Sequence, residues 1–208
     1  MIDPTARVHP TAIVEADVAI GARTAVWDAV HVRRGARIGR DCIVGEKTYL
    51  AYDVVVGDLV KLNACVYVCA GVTIEAGVMV SAHVVFTNDT APRATDPDVR
   101  ALASSEPSTD MPRTIVRRGA SIGANATIGP GVELGTFCMV GMGAVVTRDV
   151  PAFALVVGNP ARIVGLVGRD GARVHRFDAP VAAVPDGRYP CPGDGTLVAT
   201  NGVVVHHA

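Results

Sequence analysis

From Val8 to Phe86 an aliphatic or aromatic residue recurs at every sixth position: Val8, Val14, Ile20, Val26, Val32, Ile38, Val44, Leu50, Val56, Leu62, Val68, Ile74, Val80 and Phe86. The series resumes in the same phase at Val116, Ile122, Ile128, Leu134, Val140 and Val146. Phe86 and Val116 are separated by a whole number of sixes, so the segment between them leaves a continuing scaffold and rejoins it. A period of six fits neither the roughly 3.6-residue repeat of a helix nor the two-residue alternation of a flat strand.

Counting the aliphatic residue as the first of each six, the fifth is Ala12, Val18, Thr24, Val30, Ala36, Cys42, Thr48, Val54 and so on to Val84, always small or β-branched. The second is often glycine (Gly21, Gly39, Gly45, Gly57, Gly123, Gly129, Gly135, Gly141), which suits a bend needing a permissive backbone or a close approach. Each six therefore predicts one short strand and a corner. Such strands cannot bury an apolar side alone, and stacking them predicts an all-β solenoid whose core is a ladder of like residues.

Composition agrees: 50% of the 208 residues are hydrophobic but only 4% aromatic, as suits an interior with room for Val and Ile but little for rings. A formal net charge of −1 leaves no basic footprint for nucleic acid or an anionic membrane. No stretch approaches the roughly 20 apolar residues of a membrane span. The opening Met1-Ile2-Asp3-Pro4-Thr5 does not read as a signal peptide, so a cytoplasmic protein is expected. Cys42, Cys65, Cys69, Cys138 and Cys191 are odd in number and lack paired zinc spacing. They read as reduced filler, with Cys42 and Cys138 in the small inward slot.

The excursion, residues 87–115, opens with Asn88-Asp89-Thr90-Ala91-Pro92-Arg93-Ala94. A long loop that leaves a regular scaffold and returns in frame is more often functional than ornamental. The sixes end after Asp149-Val150-Pro151, and Gly158-Asn159-Pro160-Ala161-Arg162 marks a turn. The predicted organisation is a solenoid domain over 1–168 and an extension over 169–208 that caps the open edge of the last coil.

Several strings coincide on this frame: Phe86-Thr87-Asn88-Asp89 with Pro92-Arg93-Ala94; Gly119-Ala120-Ser121-Ile122-Gly123-Ala124-Asn125-Ala126-Thr127-Ile128; Gly143-Ala144-Val145-Val146-Thr147 with Asp149-Val150-Pro151; and Val157-Gly158-Asn159-Pro160-Ala161-Arg162. Together they resemble the left-handed β-helix acyltransferases, and within them the branch that N-acetylates nucleotide-linked amino sugars. The resemblance covers about residues 8–168. It implies a left-handed parallel β-helix, an exception to the right-handed crossover rule. It also implies a homotrimer with active sites between neighbouring prisms, acetyl-CoA as cosubstrate, a dTDP- or UDP-linked amino sugar as acceptor, and no metal. A flat prism face offers no deep pocket of its own, which favours a site shared between subunits and roofed by the loop.

The resemblance also assigns residues. Asn88 would orient the attacking amine through its amide oxygen; the alternative is an Asx turn in which Asn88 and Asp89 merely shape the loop. His83 stands where this branch more often carries Ser or Asn. Its imidazole could take the ammonium proton, or it is a solvated or subunit-contact histidine. His31, Asp89, Arg93, the corner residue Trp27, and Glu46 are the candidates for the sugar nucleotide. Where the family tends to read Gly-Gln-Asn-Val this chain has Gly45-Glu46-Lys47-Thr48, so its acceptor sugar can differ from the common one. For coenzyme A, Gly123, Gly141, Gly143 and Ala144 would let the pantetheine arm approach. Arg162, and after it Arg117 and Arg118, would hold its phosphates.

Three rivals remain at this stage. An O-acetyltransferase of the same fold would need a definite base such as His83. A zinc carbonic anhydrase would need three converging histidines, whereas His9, His31, His83, His175, His206 and His207 are scattered. A non-enzymatic trimeric solenoid would bind no coenzyme A.

Overall fold

The computed structural model describes residues 1–104, 108 and 110–208. Each six of the solenoid frame forms a strand of two or three residues and a corner. A strand pairs in parallel with the one eighteen positions on, as Arg7 does with Ala25 and Tyr49 with Tyr67, so three sixes make one coil. About 8 coils stack into a left-handed parallel β-helix with three flat faces. The first face begins with Arg7–Val8 and Ala25–Val26, the second with Ile13–Val14 and His31–Val32, the third with Ala19–Ile20 and Arg37–Ile38. Among the described residues no helix is long and apolar enough to cross a membrane.

The hydrophobic frame becomes two buried ladders. Val32, Val44, Leu50 and Leu62 from first positions, and Val30, Ala36 and Val54 from fifth positions, are all fully buried. Where the fifth residue is threonine its hydroxyl is satisfied, as a buried polar group must be. Thr24 Oγ1 donates to Gly39 O at 2.7 Å and accepts from Cys42 N at 3.0 Å, and Thr48 Oγ1 donates to Asn63 O at 3.0 Å.

Of the two reasons for second-position glycines, close approach is the one realised. A Cβ on Gly21 would lie 2.6 Å from Gly39 C, and one on Gly45 2.6 Å from Asn63 C. The left-handed backbone falls two residues later, mostly on non-glycine residues: φ is 59° at Arg23, 51° at Ala29, 58° at Lys47 and Cys65, and 60° at His83. That conformation costs an L residue roughly 1–2 kcal/mol. Coil-to-coil hydrogen bonds hold it, for example His83 N to Ala64 O at 3.0 Å.

The excursion starts after the second-face strand Val85–Phe86 and ends where Thr114–Val116 takes the next place on the third face, paired with Val72–Ile74. It thus replaces a single corner between those two faces. Residues 105–107 and 109 of the loop lie outside the described residues. At the far end the chain reverses through a cis Asn159–Pro160 bond. Arg162–Val167 then runs antiparallel to Ala154–Val157, and Arg173–Val181 extends the same sheet. Gly187–Pro190, Thr196–Thr200 and Val203–His207 form a separate three-stranded sheet. Phe153 stacks against Phe137 and His206, with ring centroids 5.7 and 6.0 Å away, which ties this sheet to the last coils.

Candidate active site

Parallel register stacks the outward residues of the second face in one row: His31 opposite Tyr49, Tyr49 opposite Tyr67, Tyr67 opposite Val85. Tyr49 and Tyr67 lie parallel within 5°, centroids 5.1 Å apart, a spacing close to the ~4.8 Å between neighbouring strands. Beside this row the base of the loop leaves a cleft of about 470 Å³. Its floor is Tyr49, Tyr52, Tyr67, Cys69 and Ala70, and its loop side includes Asn88, Asp89, Asp110 and Met111. Burial pushes the Cys69 thiol up to about 11, so it is not a nucleophile at neutral pH.

Asn88 is half-buried where the chain departs into the loop. Its Nδ2 donates to Ala70 O at 3.3 Å and to Met111 Sδ at 2.8 Å. With both donors committed, the amide plane is fixed. The oxygen accepts no hydrogen bond from the described residues and can serve an incoming amine. The Asx turn belongs to Asp89, whose Oδ1 accepts from Ala91 N at 2.8 Å. Arg93 is exposed, bonded to Pro92 O at 2.9 Å, and does not line this cleft.

His83 lies elsewhere. It is an exposed residue of the corner between the first and second faces, across the strand Val85–Phe86 from Asn88, and it does not line the Asn88 cleft. One chain therefore does not bring its two catalytic candidates together. Backbone bonds from His83 N to Ala64 O, Asn125 N to Ala82 O and Gly143 N to Ala124 O stack His83, Asn125 and Gly143 into one ridge. Further along that ridge Trp27 and Glu46 share a shallow groove of about 320 Å³ with Asn63 and Ala64. His31 is on the second face, its Nε2 2.9 Å from Glu15 Oε1 and its ring edge-on to Tyr49.

The coenzyme candidates divide. Ala144 is corrected: it is fully buried in the small inward ladder, its N–H donates to Gly141 O at 3.3 Å and its carbonyl accepts from Thr127 N at 2.8 Å. It fills the core and offers a ligand nothing. Gly123 and Gly141 lack side chains because the next coil occupies that space. A Cβ at 123 would lie 2.4 Å from Met142 N, and one at 141 would lie 2.7 Å from Val157 Cγ1. Gly143 differs, with φ of 68° and nothing within 4 Å of an added Cβ. Arg117 is also corrected, because its guanidinium is spent on Glu75 and Glu133 in three bonds of 2.9 Å. Arg118 and Arg162 are exposed, and Arg162 shares a cleft of about 320 Å³ with Arg148 near the end of the solenoid. Among the described residues no group of three or more His, Cys, Asp or Glu side chains is placed to hold a metal.

Sequence reasoning missed Tyr49 and Tyr52. The signal available was spacing: Tyr49 and Tyr67 are one coil apart and share one face.

The bacterial transferase hexapeptide family (six repeats) matches residues 113–148, and the hexapeptide repeat of succinyl-transferase matches residues 11–46. Both matched segments are hexapeptide repeats, one on each side of the excursion. This hexapeptide-repeat protein is 62% identical over 55 residues to a dTDP-3-amino-3,6-dideoxy-alpha-D-galactopyranose 3-N-acetyltransferase of Aneurinibacillus thermoaerophilus, covering 26% of this chain and 29% of that protein. It is 27% identical over 184 residues to the bifunctional protein GlmU of Rubrobacter xylanophilus, covering 73% of this chain and 39% of that one. The matches thus span well under half the length of these relatives. Among solved structures, a mutant of AntD, an N-acyltransferase from Bacillus cereus in complex with dTDP and coenzyme A, shares the fold. Its TM-score is 0.56 at 17% identity over 81% of this chain and 85% of that one.

Proposed function

We propose that this hexapeptide-repeat protein is an acetyl-CoA-dependent N-acyltransferase that acetylates the amino group of a dTDP- or UDP-linked amino-deoxy sugar. The observation that carries this reading is the 62% identity over 55 residues to an enzyme named for that reaction. The cleft beside Asn88 fits the chemistry. An unprotonated sugar amine donates an N–H to the Asn88 amide oxygen, and its lone pair is thereby aimed at the thioester carbonyl. The C–N bond forms, the C–S bond breaks, and the departing sulfur takes the amine proton, giving the acetamido sugar nucleotide and free coenzyme A. Alignment accounts for most of the rate, since the thioester already supplies a good leaving group.

In this reading the protein is a cytoplasmic homotrimer. The ridge of His83 and Gly143 on one copy closes the Asn88 cleft of the next, which turns two separated edges of the second face into one site. Gly143 admits the pantetheine arm, Arg162 holds coenzyme phosphates, and Trp27 and Glu46 border the sugar-nucleotide end. Residues 1–168 carry all of these groups, and 169–208 serve as a cap. The test is thiol release from acetyl-CoA over a panel of dTDP and UDP amino sugars, with the product identified by mass. Release with hydroxyl acceptors only, or a monomer in analytical ultracentrifugation, would sink the reading.

A further inference from the structure

We infer that Met111 is an oxidation site of the cleft: a peroxide that converts its thioether to the sulfoxide parts the loop from Asn88 and switches acetyl transfer off. The loss of transfer rests on the proposed function; the oxidation and the parting do not.

Three observations meet at this sulfur. Met111 lines the cleft of about 470 Å³ beside Asn88 and is only partly buried, so a water-sized oxidant entering the cleft reaches it. Its Sδ accepts from Asn88 Nδ2 at 2.8 Å. It also has little room to withdraw. A Cβ on Gly71, where φ is 83°, would lie 3.2 Å from Met111 Cε and 3.6 Å from its Sδ, so the methionine occupies the space that a side chain at 71 would fill. Pro112 is seated in the same way, its Cβ 3.0 Å from where a Cβ on Gly131 would stand. The returning limb of the loop is therefore packed against two glycines, with its sulfur held between Gly71 and the Asn88 amide.

In the oxidation the sulfur lone pair takes one oxygen from the peroxide. An S–O bond forms, the O–O bond breaks, the sulfur gives up two electrons, and the peroxide leaves as water or an alcohol. A flexible apolar side chain becomes a polar one, and a weak acceptor becomes a better one. An N–H···O bond alone needs ~2.9 Å, yet nitrogen and sulfur are already 2.8 Å apart, so the oxygen does not fit between them. Either Asn88 turns or Met111 leaves its seat on Gly71. In both cases the amide oxygen that meets the amine is displaced, and a misplacement of ~1 Å costs about 10²-fold in rate.

Other sulfurs lack this coupling. Cys69 lines the same cleft, but burial pushes its thiol up to about 11, which leaves little of the thiolate that reacts with peroxide. Met1 and Met142 are 97% and 83% exposed and should oxidise first, but neither lines the Asn88 cleft.

The test treats the full chain, in a Met142→Leu background, with hydrogen peroxide that is then removed by catalase. Three readouts are followed together: the mass of each methionine peptide, trypsin cleavage after Arg113, and thiol release from acetyl-CoA with dTDP and UDP amino sugars. The fall in kcat should track the sulfoxide at Met111 and reach about 10²-fold, with faster cleavage after Arg113 if the limb leaves Gly71 and unchanged cleavage if Asn88 turns in place. Adding Met111→Leu should hold both readouts at that variant's own untreated values. Methionine sulfoxide reductases A and B together should restore the oxidised protein, whereas dithiothreitol, which reverses disulfides and sulfenic acids, should not. The inference is overturned if complete oxidation of Met111 changes neither readout, if Met111 resists peroxide, or if the Met111→Leu protein is inactivated equally. Faster cleavage on Met111 oxidation in a chain that acetylates no amine would sink the proposed reaction and leave the oxidation site standing. Acetyl transfer that survives complete oxidation would do the reverse.

Discussion

Asn88 Nδ2 lies 2.8 Å from Met111 Sδ, so one amide joins points 23 residues apart at the two ends of the loop. The same amide could matter as an anchor or as the group that orients the amine. Asn88→Ala removes both roles and should lower kcat/KM by about 10²-fold or more. Met111→Leu removes the sulfur acceptor, keeps the bulk and leaves the Ala70 bond, so its kcat should stay within about threefold. Equal losses in the two variants, with faster proteolysis of the loop, would reduce Asn88 to an anchor.

The left-handed backbone of His83 makes asparagine the informative replacement, because Asn tolerates φ near 60° better than most residues. A general base contributes about 10²–10⁴-fold. With an amine acceptor, His83→Asn should lose less than about tenfold in kcat at neutral pH. A loss in the range of a general base would mean that proton transfer, and with it a hydroxyl acceptor, must be reconsidered.

Gly123 and Gly143 look alike in sequence and should behave differently when changed to alanine. At 123 the new methyl meets the backbone of Met142 at 2.4 Å, and a coil cannot move away without disturbing the ladder. A cost of about 3 kcal/mol, or a melting temperature lower by roughly 6–12 °C, is expected. At 143 the space is open and only the positive φ of 68° is penalised, by about 1–2 kcal/mol. Scanning calorimetry decides, and the reverse ranking would contradict the stacking described above. Gly143→Ala should in addition weaken coenzyme A binding.

Arg117 bridges Glu75 and Glu133, and hydrogen bonding to Arg117 holds the Glu133 carboxyl below its ordinary value of 4.5. A depressed carboxylate stabilises the fold fully above the unfolded value and loses that contribution as pH falls through the folded one. Wild-type stability should therefore drop below about pH 4.5, and Arg117→Met should flatten that drop. All three side chains are at least a third exposed, so water screens the pairs and each is worth only ~0.2–1 kcal/mol. Urea midpoints between pH 7 and pH 3 would show it. Parallel curves for the two proteins would rule out this source.

Much of the molecule was legible from spacing. The frame placed Val44, Leu50 and Leu62 inside, put Cys42 and Cys138 in the narrow slot, and showed that the loop rejoins the scaffold in phase. Counted strictly, the same frame puts Ala144 in the inward fifth position, which a resemblance-based assignment to the coenzyme overrode. Corner residues were harder. Glycine at a second position and a left-handed residue at a fourth are both consequences of coil stacking, and a linear reading attributes them to the same bend. The tyrosine row on the second face went unread because no inward rule governs outward positions.

By itself the sequence determined the period, the two inward ladders and the point at which the loop departs, because a core one side chain wide admits only small and branched residues at fixed intervals. Only the tertiary structure decided which charges are free and which are spent. Arg117 is held by residues forty-two before and sixteen after it, while Arg162 is exposed. It also decided that Asn88 and His83 occupy opposite edges of one face. Those relations depend on coils stacked ~4.8 Å apart, which bring together residues from different turns that spacing along the chain cannot rank.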